Sequence, residues 1–176
     1  MGVSEESKGK MKQVLSDIRL ASRPAVGPDP VKIFVSYSHA DLDLVTVLDR
    51  HLTALRREGL ISLWIDREIG PGEEWREAID RNISDAAIIL LVISSSFIAS
   101  EYCWDVELQQ ALERHAAGSA RVIPVILRDC DWQHLPFSKL QALPAAGRPI
   151  VEWPDPDSGF ADVSRGIRRA VLALHS

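Results

Sequence analysis

The sequence predicts an α/β domain of the flavodoxin-like class, a five-stranded parallel sheet with helices on both faces in three layers. Three observations predict it. Short β-rich runs alternate with stretches whose apolar residues recur at helical spacing. One run, AIILLVIS (Ala87–Ser94), is apolar on both faces, as a central strand covered by helices must be. The alternation continues from Val31 almost to the last residue, which suits parallel crossovers.

Each element has its own signal. VKIFVS (Val31–Ser36) is the first strand, short and rich in β-branched residues. Asp41–Arg57 carries Val45, Leu48, Leu52 and Leu55 on one face and reads as a helix. ISLWI (Ile61–Ile65) is the second strand, and Trp75, Ile79, Ile83 and Ala86 mark the second helix. After the central strand, Ser100–Ala116 reads as a helix with Ser100 as its N-cap. RVIPVIL (Arg121–Leu127) is the fourth strand, although Pro124 removes one ladder donor. Phe137–Leu143 reads as a short helix and PIVEW (Pro149–Trp153) as a weak fifth strand. Phe160, Val163, Ile167, Val171 and Leu174 define the last helix.

The chain divides into an N-terminal arm over 1–22, a Pro-rich linker over 23–30 and the domain over 31–176. In the arm, Met11, Leu15 and Ile18 fall at helical spacing, which suits a short amphipathic helix. The 176 residues are enough for one domain with such an appendage, and 46% hydrophobic content supports a packed core. A net charge of -5 argues against nucleic acid as a partner, because phosphate binding wants a basic face. The longest apolar run, Ala86–Ile93, is far too short to span a bilayer. The N-terminus lacks the apolar core of a secretory signal. Two distant cysteines, Cys103 and Cys130, suggest no disulfide framework, so a cytoplasmic setting is expected.

Sites of this fold class form beyond the carboxyl ends of the strands. Ser36–Asp41, Asp66–Trp75, Ser94–Glu101 and Arg128–Trp132 are expected to gather there. Familiar chemistries do not fit these segments. A phosphate-accepting receiver needs an Asp after the third strand, and SSSF stands there instead. IGPGEEW (Ile69–Trp75) has two glycines but no phosphate-binding fingerprint. Nothing fixes His39 against Ser94, Ser95 and Ser96 as a hydrolase triad requires. Cys130, Asp131 and His134 lack further ligands at a metal-binding spacing, so no metal is expected.

Several sequence blocks carry a resemblance. KIFVSYSHAD lies at the first strand, and WIDREIGPGEEWREAI spans the second strand and its loop. ILLVISSSFIASEYCWDVELQQAL covers the third strand and its helix, and RVIPVILRDCDW and the Phe160 helix follow. Through these blocks residues 31–175 resemble a TIR (Toll/interleukin receptor) domain, especially its bacterial members. The resemblance implies one of two functions. Some TIR domains are assembly modules that recruit other TIR domains, and others hydrolyse or cyclise NAD+ with release of nicotinamide. The NAD-cleaving members place a Glu on the helix after the third strand, in a context like S-x-x-(W/Y)-C-x-x-E-L. SEYCWDVEL carries that residue at Glu107. The chain departs from many relatives in having Cys103 four residues before this Glu, with Trp104 three before it.

The implied substrate is NAD+, with no further cofactor, and the implied partners are other TIR domains in a homo-oligomer or filament. A bacterial immune role is implied as well. Trp75 matches an aromatic that contacts nicotinamide in relatives, and it also reads as a core residue in line with Ile79 and Ile83. Tyr37 and Ser38 read as nucleotide contacts or as loop packing. Ser94 reads as a ribose or phosphate contact or as a cap, and Arg67 as a phosphate ligand or a partner of Asp66 or Glu68. Cys103 and Trp104 complete the expected substrate-binding set around Glu107.

Overall fold

The computed structural model describes residues 27–66 and 74–176, together with Lys10. The sequence reading of an arm helix and of the Gly70–Gly72 loop therefore lies outside the described residues. Four parallel strands form one sheet in the order β2-β1-β3-β4. They are β1 (Val31–Ser36), β2 (Ile61–Ile65), β3 (Ile88–Ile93) and β4 (Arg121–Ile126). The helices are α1 (Leu42–His51), α2 (Thr53–Arg57), α3 (Trp75–Asp85), α4 (Ser95–Ala99), α5 (Gln109–Ala116) and α6 (Pro156–Leu174).

Strand alternation sorts the core into two layers. Ile33, Val35, Leu90, Val92, Ile123 and Val125 point to one face. There they meet Val45 and Leu48 of α1, Leu55 of α2, and Phe160, Val163, Ile167 and Val171 of α6. Phe34, Ile89, Leu91, Ile93, Val122 and Ile126 point to the other face. They pack on Ile79 and Ile83 of α3, Phe97 of α4 and Ala111 of α5. All six residues of β3 are buried, as expected for a strand with neighbours on both edges and helices on both faces.

The predicted fifth strand does not form. Ile150–Glu152 makes a 3-10 turn, in which the amides of Glu152 and Trp153 bond back to Pro149 and Ile150 at 3.0 and 3.2 Å. Its one bond toward the sheet runs from Val151 N to Leu127 O, at 3.3 Å. The outer edge of β4 is met instead by Leu143, through a single parallel bridge. The Leu143 amide donates to Pro124 O and the Leu143 carbonyl accepts from Ile126 N, both at 2.8 Å. A strand residue turns its N and C=O to the same side. The missing N–H of Pro124 therefore faces this outer edge and costs no bond to β3. The predicted helix over Phe137–Leu143 is replaced by hydrogen-bonded turns, such as Leu140 N to Phe137 O at 3.0 Å.

Candidate functional site

The chain leaves β1 to form β2 on one side and crosses back to form β3 on the other. The strand order reverses there, and loops diverge to open a crevice at the carboxyl ends. A cleft of about 270 Å³ lies at this point. Its walls come from Tyr37, Ser38 and His39 after β1, Asp66 after β2, and Trp75 at the start of α3. Ser100, Tyr102, Cys103 and Glu107, from the segment after α4, close it.

Glu107 sits on an irregular turn. Cys103–Leu108, the CWDVEL segment, is π-helical and runs into α5. Such wider turns are uncommon and cluster at functional sites. Residues four and five apart share a face of the wider turn, and both Tyr102 and Cys103 line the cleft with Glu107. The Glu107 side chain is 5% exposed, which is rare for a Glu. Ser36, the last residue of β1, donates its hydroxyl to Glu107 Oε2. Burial pushes the Glu107 pKa up from 4.5 to about 7. The Ser36 hydrogen bond acts against that rise, the Asp66 charge adds to it and His39 opposes it.

The remaining walls supply aromatic and polar surface. The Trp75 ring packs on Tyr102 with centroids 4.5 Å apart and stays 41% exposed. It is not a core residue, unlike its neighbours Ile79 and Ile83. Burial and the Glu107 charge raise the Tyr102 hydroxyl to about 12, so it is a neutral donor and acceptor near neutral pH. Cys103 donates its thiol to the Tyr37 carbonyl at 3.4 Å, and burial pushes that thiol up to about 11. Tyr37 is buried beneath the cleft, with its ring 5.6 Å from that of His39. Ser38 caps the short turn His39–Asp41 through Ala40 N at 3.4 Å. His39 Nε2 bonds Asp66 Oδ2.

Two of the expected residues stand elsewhere. Trp104 lines a separate cleft with Leu108, Leu112 and Pro136. Its assignment to the site assumed α-helical spacing, and the π turn rotates it away from Glu107. Ser94 is fully buried and occupied twice. It caps α4 by accepting from Phe97 N at 3.0 Å, and it donates to Asp41 Oδ2 at 2.5 Å. Arg128 Nε donates to the other Asp41 oxygen at 3.0 Å, so the segments that follow β1, β3 and β4 are tied together. Arg67 lies outside the described residues.

Sequence reasoning placed the segments that hold Ser36, His39 and Asp66 at the strand ends but gave these residues no role with Glu107, and it missed Tyr102. Only Tyr102 had a local signal, at five residues before Glu107. A larger cleft, of about 360 Å³, lies between β4 and α6. Two of its polar side chains already serve the backbone: Arg121 donates to Ala170 O and His115 accepts from Val122 N. The smaller cleft is the candidate because a buried, perturbed carboxylate faces it.

A doubly wound parallel domain with a buried carboxylate facing a cleft at its switch point is the class these observations define. The chain matches the TIR domain family over residues 33–157 and belongs to that family. It is 52% identical over 138 residues to y4lF, an uncharacterized protein of Sinorhizobium fredii, and the match covers 78% of this chain and 43% of that protein. The chain thus spans less than half the length of this relative. It is also similar to the crystal structure of the TIR domain of the Toll-related receptor TRR-2 from Hydra magnipapillata. That likeness has a TM-score of 0.58 at 22% identity and covers 81% of this chain and 98% of the other, so it concerns the fold. Among the described residues no helix is long and apolar enough to cross a membrane.

Proposed function

We propose that this chain is an NAD+ glycohydrolase of the bacterial NAD-cleaving branch of TIR domains, with Glu107 as its catalytic residue. The observation that carries this reading is the burial of the Glu107 carboxylate against a cleft at the strand ends, with a pKa raised to about 7. A carboxylate is expensive to bury, and a pKa poised near neutrality is the property a catalytic group needs.

The chemistry asks for one such group. The nicotinamide ring of NAD+ is cationic and leaves as a neutral pyridine, taking the electron pair of the bond from C1′ of the ribose. No acid has to protonate it, whereas an alkoxide leaving group requires a second carboxyl. Ionised Glu107 stabilises the oxocarbenium-like charge at C1′ as it develops. It then takes a proton from the water that adds there, giving nicotinamide and ADP-ribose. If an adenine nitrogen reaches C1′ before water, the product is a cyclic ADP-ribose. The exposed Trp75 ring, braced by Tyr102, offers a flat face to the nicotinamide. A cleft of about 270 Å³ encloses one end of a dinucleotide and leaves the rest outside.

The reading extends to setting. Residues 31–176 act as the catalytic domain behind the 1–22 arm and 23–30 linker, in the cytoplasm, in immune signalling, and self-association with other TIR domains activates them. The competing reading, a non-catalytic TIR–TIR interaction module, gives the buried Glu107 no use.

The test is to incubate the chain with NAD+, both dilute and crowded on beads, and to quantify nicotinamide by chromatography beside Glu107→Gln. Release by the wild type, at least about 100-fold reduced in a folded Glu107→Gln, is expected. Activity per molecule should be higher on the beads. No release in either format overturns the enzymatic reading, and release that survives the substitution removes Glu107 from its role.

A further inference from the structure

Two buried polar atoms among the described residues have no hydrogen-bond partner, Asp66 Oδ1 and Tyr102 Oη. Both residues line the Glu107 cleft. The other Asp66 oxygen is held by His39 Nε2. The Asp66 side chain is only 10% exposed, while that of His39 is 69% exposed. Asp66 is therefore braced from the solvent side by a histidine, with its free oxygen withdrawn from water. A buried polar atom left unpaired is costly and asks for a reason. The core around it does not provide one. The residue lies at a strand end beside the cleft, and an apolar side chain in its place would need no partner.

Ligand chemistry follows from the inventory of atoms. A carboxylate oxygen only accepts hydrogen bonds. Asp66 offers Oδ1, and Glu107 has Oε2 bound by Ser36, which leaves Oε1. Two acceptors on different walls of one cleft suit a ligand with two neighbouring hydroxyl donors. They repel a phosphate, which is anionic and has no such donors.

We infer that Asp66 determines specificity, its Oδ1 accepting one hydroxyl of a ribose diol while Glu107 accepts the other. This rests on the proposed function and adds a requirement to it: the nicotinamide ribose must carry both hydroxyls. Tyr102 Oη, on the same cleft wall as Glu107, is free to donate to the ribose or to its ring oxygen.

The test measures binding rather than turnover. Glu107→Gln keeps an acceptor at position 107 and prevents cleavage, and the full 176-residue chain is titrated by calorimetry. The ligands are NAD+ and two analogues lacking the 2′ or the 3′ hydroxyl of the nicotinamide ribose. Each analogue should bind about tenfold more weakly than NAD+. Adding Asp66→Asn puts amide donors where Oδ1 accepted. It should weaken NAD+ about tenfold and abolish discrimination against one analogue only, keeping it for the other. Asp66→Ser should do the same.

Equal Kd values for NAD+ and both analogues overturn the inference with Asp66 intact, whatever the variants do to folding. Folded Asp66 variants that leave the Kd of NAD+ unchanged, or weaken all three ligands alike, also overturn it. No NAD+ binding, together with no nicotinamide release by the wild type, overturns the proposed function itself. Binding and release that persist with unchanged discrimination leave that function standing and remove Asp66 alone.

Discussion

Ser36 and Glu107 lie 71 residues apart in the chain and are joined by a buried hydrogen bond from the Ser36 hydroxyl to Glu107 Oε2. The bond crosses from the end of β1 to the π-helical turn before α5. It is the contact by which the sheet holds the candidate catalytic carboxylate. It favours the charged form and works against burial, which is the larger influence on Glu107.

The rate of nicotinamide release should therefore follow ionisation of Glu107. Glu107 is mostly protonated below about 7 and mostly ionised above, so activity should rise with pH through that value. Ser36→Ala removes a bond that favours the charge. The acid limb should move up by about one pH unit, which is about a fivefold loss at pH 7 and little loss at pH 9. A pH–rate profile of both proteins checks this. A loss of the same size at every pH would mean that Ser36 acts by packing.

The raised pKa also predicts that the proposed catalytic residue destabilises the fold. Unfolded Glu107 ionises near 4.5, while in the fold it keeps its proton up to about 7. Between those values the folded state binds the extra proton, so stability falls as pH rises across that window. Glu107→Gln removes the penalty and keeps an acceptor for Ser36. At pH 8 the variant should be more stable than the wild type by up to about 3 kcal/mol, and at pH 4 the gain should vanish. Urea unfolding at the two pH values is the check. A gain independent of pH would place its origin in packing.

Asp41 is 2% exposed and bonded by Ser94 and Arg128. Arg128→Met would leave that carboxylate buried with Ser94 as its remaining side-chain donor among the described residues. Breaking a fully buried pair costs about 3–5 kcal/mol. The Arg128 side chain is 47% exposed, so water screens part of the attraction, and a loss of about 1–2 kcal/mol is expected. Denaturant midpoints measure it. An unchanged midpoint would show that Arg128 contributes nothing to holding the strand ends.

Much of this protein was legible in its residues because the relevant physics is local. Apolar periodicity located the four strands and the helices that bury them, since each element must present one face, or two, to a core. The Glu107 motif marked the candidate carboxylate by resemblance. PIVEW misled because a short apolar run between prolines satisfies a 3-10 turn as well as a strand, and Leu143 met the β4 edge instead. Trp104 misled because spacing arguments assume 3.6 residues per turn, and the CWDVEL segment is wound more widely. The order of elements placed Ser36, His39 and Asp66 at the strand ends, but their pairings, Ser36 with Glu107 and His39 with Asp66, join distant segments and leave no mark in the sequence. Burial of Glu107, the free oxygen of Asp66 and the occupation of Ser94 by Asp41 were decided only by tertiary structure. Sequence spacing sets which face a side chain takes, but desolvation and hydrogen-bond partnership depend on what other elements bring to that face.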